Sequence, residues 1–296
     1  MAELSITENL LGSLEGKVAI VTGGASGIGK AIVELLAQHG AVVAYGDLNK
    51  NAGEALEDSL KLSGRKAEYY EADVTDWASQ RDLFSAVKQK YGRIDLVFAN
   101  AGVGERNTVF DDILDPDGSL AAPNLAVIDV NLKGVIYTTK LALHHMATNN
   151  PPGGGLVMTG STSSYNERPN LPLYSTAKHG VVGLMRAVRH RAPDSNINVG
   201  LIAPGGTVSS LFTPEAAEAF QAQGAPVNDA ETVALGAVYL ASNNKMNGKA
   251  LTIIGNKFTE VEDSVLRTQP LWYGEYNTDM SRRVASVRLD ELAKSD

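Results

Sequence analysis

The 296-residue sequence contains no cysteine, and this absence excludes several kinds of functional site. Without thiols it cannot form disulfides, use a thiolate nucleophile or hold zinc or an iron–sulfur cluster through cysteine. Its five histidines follow no HExxH or other metal-ligand spacing. We therefore expect no metal site.

Positive charge and long apolar runs are also scarce. The 34 acidic residues outnumber 26 Lys and Arg, for a formal net charge of -8, which repels nucleic-acid phosphates and anionic lipid. Residues 1–15 carry three glutamates and no basic start, and no apolar run reaches the roughly 18 residues of a spanning helix. We expect no nucleic-acid or membrane partner, no targeting peptide and a cytoplasmic location.

What the sequence does contain is a repeated alternation of short β-branched runs and longer amphipathic stretches. The predicted strands lie at residues 17–21, 41–45, 67–72, 94–99, 156–158, 198–202 and 251–254. Apolar strands without polar alternation, each followed by a helix, indicate a parallel sheet covered on both faces. The predicted fold is α/β, with a single Rossmann-type doubly wound sheet.

Two segments lie outside this alternation. We divide the chain into an N-terminal extension (1–16), a core domain (17–257) and a C-terminal extension (258–296). The last segment holds an aromatic patch, Leu271, Trp272, Tyr273 and Tyr276, and a predicted amphipathic helix near 282–292. Because such a patch is costly to expose, we expect it to pack on the core or on a neighbouring subunit.

A glycine-rich loop, TGGASGIG at residues 22–29, separates the first predicted strand from the first predicted helix. Its glycines allow a tight turn and a close approach of backbone amides to a pyrophosphate at the helix N-terminus. Asp47, 18 residues beyond Gly29, can accept hydrogen bonds from ribose hydroxyls and would repel a 2'-phosphate. This pattern favours NAD over NADP, unless Asp47 only begins a turn.

Tyr174 and Lys178 stand four residues apart in YSTAK, on one face of a predicted helix. A neighbouring ammonium favours the phenolate, and lowering a phenol pKa from about 10 to about 7 requires roughly 4 kcal/mol. Tyr174 can then act as a general base. By itself the Tyr-x-x-x-Lys pattern is common, and a solvated helix face is its usual explanation.

Taken together, these motifs resemble the short-chain dehydrogenases/reductases over roughly residues 15–257, especially NAD-dependent hydroxysteroid-dehydrogenase-like and 15-hydroxyprostaglandin-dehydrogenase-like members. The landmarks occur in the family's order: TGGASGIG, Asp47, Asp73-Val74, Asn100-Ala101-Gly102, Asn131, Ser161, YSTAK and Pro204-Gly205.

The resemblance implies specific roles. Asn131, Ser161, Tyr174 and Lys178 would be catalytic, with Ser161 on the substrate oxygen and Asn131 holding a water that links Lys178 to solvent. The implied cofactor-binding residues are Gly23, Ser26, Ile28, Asp47, Leu48, Asp73, Val74, Asn100, Tyr174, Lys178, Gly205 and Thr207. Ser163 and Ser164 are equally suited by chemistry, and only the spacing of 13 residues before Tyr174 selects Ser161.

The sequence departs from the family's pattern in two places: Gly160 replaces a usual serine, and the segment Gly205-Gly206-Thr207-Val208-Ser209 is glycine-rich where many relatives have a bulkier residue. After Gly206, an apolar stretch occupies the position of the family's mobile lid, with Val208, Leu211, Phe212 and Phe220. It suggests a fairly hydrophobic substrate, although ordinary packing explains it equally well. Tyr165, Asn166 and Arg168 are further candidates for the same cavity.

These observations predict an NAD-dependent enzyme that interconverts a secondary alcohol and a ketone. An NADPH-dependent ketoreductase of a steroid-, terpenoid- or polyketide-like carbonyl is one alternative, and a redox-silent dinucleotide-binding protein is another. The family's habit implies a homodimer or homotetramer formed through helices near 122–148 and 174–192.

Overall fold

A nine-stranded sheet runs through the computed structural model, which describes residues 2–209, 211–285 and 287. Its strands are β1 (Ala2–Leu4), β2 (Val18–Thr22), β3 (Val42–Asp47), β4 (Ala67–Glu71), β5 (Leu96–Ala99), β6 (Gly154–Thr159), β7 (Ile197–Pro204), β8 (Ala250–Ile254) and β9 (Lys257–Glu260).

Helices connect most of these strands. They are α1 (Gly27–Gln38), α2 (Lys50–Leu62), α3 (Trp77–Tyr91), α4 (Ala126–Ile128), α5 (Val135–Ala147), α6 (Pro172–Val188), α7 (Pro214–Ala222), α8 (Ala230–Ser242), α9 (Glu262–Tyr273) and α10 (Glu275–Ala285). A π-helical turn, Asp129–Gly134, joins α4 to α5. Among the described helices, none has the length and apolar character needed to cross a membrane.

The strand order confirms the predicted doubly wound fold. From one edge it reads β4-β3-β2-β5-β6-β7-β8, all parallel, and continues into β9 and β1, which pair antiparallel. The chain winds outward in one direction from β2 to β4 and in the other from β5 onward. Ligands of such sheets bind outside the carboxyl ends of the strands at this reversal, here between β2 and β5.

Both faces of the sheet are buried. Along β2, Ala19 and Val21 pack against α1 and α8, whereas Val18 and Ile20 pack on the opposite side with α3, α5 and α6. All eight residues of β7 are buried. Burial on both sides explains why these strands lack polar alternation.

The antiparallel edge strands were not predicted. β9 follows β8 through a tight turn in which Gly255 and Asn256 both have positive φ, 58° and 60°, as a type I' hairpin requires. β1 then pairs with β9. The sheet therefore extends beyond both boundaries proposed from the sequence, 16/17 and 257/258.

The C-terminal segment is fixed to the core at its beginning. Glu262, 1% exposed, starts α9 and accepts hydrogen bonds from both Arg186 (2.8 and 2.9 Å) and Arg189 (2.8 Å), which belong to α6 and its C-terminal cap. The Tyr165 hydroxyl donates a fourth, at 2.9 Å. Burial raises the pKa of Glu262, but Arg186, Tyr165 and Arg189 outweigh it and hold the pKa below its usual value.

The aromatic patch, however, does not pack on the core of its own chain. The exposed fractions are 85% for Leu271, 63% for Trp272 and 75% for Tyr276. These side chains belong to the last turn of α9 and to α10, beyond the anchored end of α9. Packing on a neighbouring subunit stays a prediction. The helix predicted near 282–292 overlaps α10, which ends at Ala285; residues 288–296 lie outside the described part.

Replacing Glu262 by Ala should leave two guanidinium groups without their shared carboxylate. We expect the free energy of unfolding to fall by about 3 kcal/mol at pH 7, measured by urea denaturation. Because the pKa of Glu262 is lowered in the folded protein, its contribution is lost as the pH falls, so the difference from wild type should shrink below about pH 4.3.

The matched control is Asp263→Asn, which removes a carboxylate one residue away. Asp263 pairs with Lys249, and its side chain is 61% exposed. The expected loss is therefore below about 1 kcal/mol. Equal losses for the two variants would contradict the assigned role of Glu262.

Candidate active site

The carboxyl ends of the parallel strands surround a cavity of about 750 Å³. Every residue predicted to bind the cofactor lines it, as does Ser161. In chain order these lining residues are Gly23, Ser26, Ile28, Asp47, Leu48, Asp73, Val74, Asn100, Ser161, Tyr174, Lys178, Gly205 and Thr207. Parallel pairing thus brings together motifs that lie more than 180 residues apart in the sequence.

The glycine-rich loop between β2 and α1 leaves no room for a side chain at Gly23 or Gly29. A Cβ at Gly29 would lie 1.9 Å from the Gly23 carbonyl oxygen, and one at Gly23, where φ is 67°, would lie 2.7 Å from Ala101 Cα. The loop opens directly into the N-terminus of α1 at Gly27. Such a cradle suits the close approach of a pyrophosphate.

Asp47 ends β3 beside this loop and holds it in place. Its Oδ2 accepts a hydrogen bond from the Ala25 amide at 3.0 Å, and its Oδ1 accepts one from the Asn49 amide at 2.9 Å. Asp47 therefore begins the turn into α2 and also ties that turn to the glycine-rich loop. In the part of the chain that the structure describes, the cationic side chains lining the cavity are Arg168 and Lys178.

The next strand ends carry Asp73, Val74 and Asn100. Asp73 Oδ1 accepts hydrogen bonds from the amide and hydroxyl of Thr75, both at 2.8 Å. The Asn100 side chain donates to the Gly23 carbonyl at 3.2 Å and accepts from the Thr159 hydroxyl at 3.3 Å. It therefore joins the ends of β2, β5 and β6 beneath the cavity.

Tyr174 and Lys178 lie in the first two turns of α6. Lys178 is 3% exposed; its Nζ donates to the Thr159 carbonyl at 2.9 Å and lies 5.6 Å from the Tyr174 ring centroid. Burial lowers the pKa of Lys178 to about 8. Burial raises the pKa of Tyr174, and a hydrogen bond with Ser161 opposes that rise. An additional positive charge is therefore needed to favour the phenolate near neutral pH.

The structure separates the three candidate serines. The Ser161 side chain lowers the pKa of the Tyr174 phenol, against the effect of burial, and accepts from the Ser163 amide at 3.1 Å. Ser164 donates to the Lys178 carbonyl at 2.9 Å and accepts from the Ser161 amide at 3.1 Å. It therefore connects the turn after β6 to α6. Ser163 lines the cavity as well, but Ser161 is the serine that acts on the pKa of Tyr174.

Asn131 lies behind the cavity wall rather than in its lining. It is 0% exposed within the π-helical turn. Its Oδ1 accepts from the Val103 amide at 2.8 Å and its Nδ2 donates to the Val103 carbonyl at 2.9 Å. The side chain thus holds the segment that follows β5. The water-holding role of Asn131 stays a prediction.

In the two places where the sequence departs from the family's pattern, Gly160 and Gly206 make room for their neighbours. A Cβ at Gly160 would lie 2.9 Å from Ser164 Oγ, and one at Gly206 would lie 3.0 Å from Phe212 Cζ. Phe212 in turn packs edge to face against Phe220, with ring centroids 4.9 Å apart. Glycine at position 206 therefore allows this aromatic pair to approach the end of β7.

Not all of the candidate substrate-side residues reach the cavity. Leu211, Phe212, Phe220 and Arg168 line it. Val208, Tyr165 and Asn166 are not part of the lining. Tyr165 instead donates its hydroxyl to Glu262, and Asn166 donates its side-chain amide to the Thr162 carbonyl at 3.2 Å.

Glu105 is a lining residue that the sequence analysis missed. Its Oε2 accepts a hydrogen bond from the Tyr174 backbone amide at 2.8 Å, across 69 residues of sequence. It belongs to none of the motifs and follows no periodic pattern. Only the tertiary structure brings it to the site.

Comparison with known proteins agrees with this geometry. The profile of the family described as short chain dehydrogenase matches residues 17–219. The chain is 36% identical to short-chain dehydrogenase/reductase prx4 of Penicillium rubens, over 96% of this chain and 88% of that protein. It is 34% identical to (+)-borneol dehydrogenase 1 of Salvia officinalis, over 78% of this chain and 88% of that protein.

A solved structure is also similar. It is that of 3-ketoacyl-(acyl-carrier-protein) reductase from Brucella melitensis complexed with NADH, with a TM-score of 0.71 and 25% identity, covering 82% of this chain and 98% of that one. This chain therefore belongs to the short-chain dehydrogenase/reductase family, as its motifs predicted. It is an NAD(P)-dependent oxidoreductase that acts on CH–OH groups. The narrower likeness to hydroxysteroid and hydroxyprostaglandin dehydrogenases stays a prediction.

Lys178 should give the protein a distinctive dependence of stability on pH. Its pKa is about 8 when folded and about 10.4 when unfolded. Between these values the unfolded chain binds a proton that the folded protein does not, so stability rises with pH. Lys178→Met lacks this contribution. We therefore expect the Tm of wild type to rise relative to that of Lys178→Met between pH 7.5 and 9.5.

Thermal unfolding of Lys140→Met provides the control, because Lys140 is an exposed lysine on α5. This variant should follow the wild-type pH dependence throughout. A Lys178→Met protein that did the same would show that the ammonium of Lys178 does not titrate in this range.

Proposed function

We propose that the protein is an NAD-dependent enzyme that interconverts a secondary alcohol and a ketone on a fairly hydrophobic small molecule. The observation that carries the proposal is the grouping of Ser161, Tyr174 and Lys178 in the same cavity as the glycine-rich loop and Asp47. Family membership supports alcohol and ketone chemistry. The choice of NAD and the nature of the substrate are our inferences.

The residues around the cavity fit a dinucleotide along its length. The glycine-rich loop would hold the pyrophosphate, Asp47 the adenine ribose, Asp73 and Val74 the adenine, and Lys178 the nicotinamide ribose. Leu48, Asn100, Gly205 and Thr207 complete the set that we assign to the cofactor. When bound, the oxidised nicotinamide supplies the hydride acceptor and the positive charge that favours the Tyr174 phenolate.

Tyr174 and Ser161 carry the proton chemistry in this proposal. Both side chains line the cavity, so their hydroxyl oxygens can share one substrate oxygen, and Ser161 does so without adding charge. Tyr174 takes the proton of the alcohol during oxidation and returns it to the carbonyl oxygen during reduction. The ammonium of Lys178, buried near the Tyr174 ring, stabilises the phenolate that forms.

The preference for NAD rests on the distribution of charge around the cavity. Asp47 puts a carboxylate at the end of β3, where the adenine ribose would lie. The lining cations of the described chain, Arg168 and Lys178, both contact residues at or beyond the end of β6. A 2'-phosphate would therefore meet a negative charge with neither of these lining cations beside it.

The substrate end of the cavity is largely apolar, with Leu171, Leu211, Phe212 and Phe220 in its lining. This lining supports a hydrophobic substrate. The relative from Salvia officinalis, named for the secondary alcohol borneol, supports the same class. The solved relative named as a reductase supports the reductive direction as a second candidate, since proton transfer through Tyr174 is reversible. Homo-oligomeric assembly and a cytoplasmic location stay predictions.

Cofactor choice can be tested by fluorescence titration with NADH and NADPH. Wild type should bind NADH more tightly, and Asp47→Ala should raise the Kd for NADH about tenfold, a cost of about 1.4 kcal/mol, without weakening NADPH binding. Asp58→Ala removes an exposed carboxylate from α2 outside the cavity and should bind both cofactors as wild type does. A wild-type preference for NADPH would refute the role given to Asp47.

The catalytic assignment is tested by Tyr174→Phe. We expect turnover of secondary alcohols to fall at least about 100-fold, because the general base is lost, while the Kd for NADH changes less than about twofold. Tyr137→Phe, on α5 beside Trp77 and outside the cavity lining, is the control and should keep its activity. Retained turnover in Tyr174→Phe would exclude the proposed mechanism.

A further inference from the structure

The helix that carries Tyr174 begins without a cap of its own. Leu171 occupies the N-cap position and makes no side-chain hydrogen bond, and Pro172, the first helical residue, has no N–H. Tyr174 is the third residue of α6, so its N–H has no partner within the helix. A buried N–H in this position requires an acceptor from elsewhere.

Glu105 provides that acceptor. Its Oε2 lies 2.8 Å from the Tyr174 amide nitrogen, a length typical of a charge-assisted hydrogen bond. A carboxylate at a helix N-terminus also interacts favourably with the helix dipole, more so when partly buried, as Glu105 is. The bond fixes the backbone of the same residue whose phenol lies in the cavity.

The segment that carries Glu105 is itself held from a second direction. Asn131 binds both backbone polar groups of Val103, two residues before Glu105. Residues 101–105 all line the cavity. Two side chains, Asn131 and Glu105, therefore join this wall to the π-helical turn on one side and to α6 on the other.

The second oxygen of Glu105 shows that this arrangement carries a cost. Oε1 is buried and, within the described residues, has no hydrogen-bond partner. An unpaired buried oxygen is unfavourable and is generally avoided. Such local violations are expected chiefly at functional sites, where another requirement places the side chain. Here the requirement is the bond from Oε2 to Tyr174.

We propose that Glu105 is a positioning residue for Tyr174, which fixes the first turn of α6 against the cavity wall formed by residues 101–105. The inference rests on the proposed function, in which the Tyr174 phenol exchanges a proton with the substrate. Glu105 acts through the backbone of Tyr174 and contacts no reacting atom. A small displacement of the phenol would impair proton transfer while leaving the dinucleotide contacts of β2 and β3 in place.

The test compares Glu105→Ala with Glu105→Gln, whose side-chain carbonyl can still accept the Tyr174 N–H. In Glu105→Ala, hydrogen exchange of the peptide spanning 171–180 should accelerate, and kcat for alcohol oxidation should fall roughly 10- to 100-fold. The KM for the cofactor should stay within about twofold, since the glycine-rich loop is untouched. Glu105→Gln should recover most of the protection and most of kcat.

A matched control comes from Glu260, which accepts hydrogen bonds from the Glu262 and Asp263 amides at 2.8 and 3.1 Å at the start of α9. Glu260→Ala removes a glutamate from a helix N-terminus outside the cavity, and should lower Tm without lowering kcat. Wild-type exchange at 171–180 in Glu105→Ala would overturn the proposal. So would a kcat loss in Glu105→Gln equal to that in Glu105→Ala, because the carboxylate would then act by its charge.

The two inferences fail in different ways. If the wild-type protein oxidises no secondary alcohol, the proposed function fails, and hydrogen exchange still decides whether Glu105 fixes the first turn of α6. If wild type is active and Glu105→Ala has wild-type exchange and kcat, the positioning role fails and the proposed function stands.

Discussion

Parallel pairing of the strands from β2 to β8 is the constraint on which the rest of this molecule depends. Parallel neighbours require a crossover on one face or the other, so both faces of the sheet are covered by helices and its central strands are largely apolar. All carboxyl ends then lie at one edge. The chain reverses its winding between β2 and β5, and the cavity opens there because the loops on either side diverge.

The chemistry of that cavity is governed by burial of charge. Burial lowers the pKa of Lys178 and raises that of Tyr174, so these groups alone favour the phenol near neutral pH. A site arranged in this way becomes a base only when additional positive charge arrives. The proton chemistry that we propose is therefore coupled to occupation of the dinucleotide site that we assign to the glycine-rich loop and Asp47.

Precise placement of Tyr174 comes from polar contacts between distant segments. Asn100 joins three strand ends, Asn131 fixes Val103, and Glu105 binds the first turn of α6. Farther from the cavity, Glu262 connects α9 to both α6 and the loop after Ser161. Because a buried polar group is costly when unpaired, each of these contacts restricts the segments that it joins to few relative positions.

Local patterns in the sequence determined a large part of this structure. Apolar runs marked the seven parallel strands, glycine spacing marked the tight loop between β2 and α1, and the family's motifs marked the cavity residues Asp47, Ser161, Tyr174 and Lys178, because each signal lies within a few neighbouring residues. The Gly255-Asn256 pair, typical of a two-residue hairpin turn, is a local signal for β9. β1, three residues long, offers no periodicity from which a strand could be predicted.

Only the tertiary structure decided where distant segments meet. It showed that Glu105 reaches Tyr174. It showed that Ser164 bonds to the backbone of Ser161 and Lys178, and it left the aromatic patch around Trp272 exposed on its own chain. Contacts across 69 residues of sequence, such as that of Glu105, depend on the placement of whole helices against the sheet. Packing sets that placement, and no short stretch of sequence encodes it.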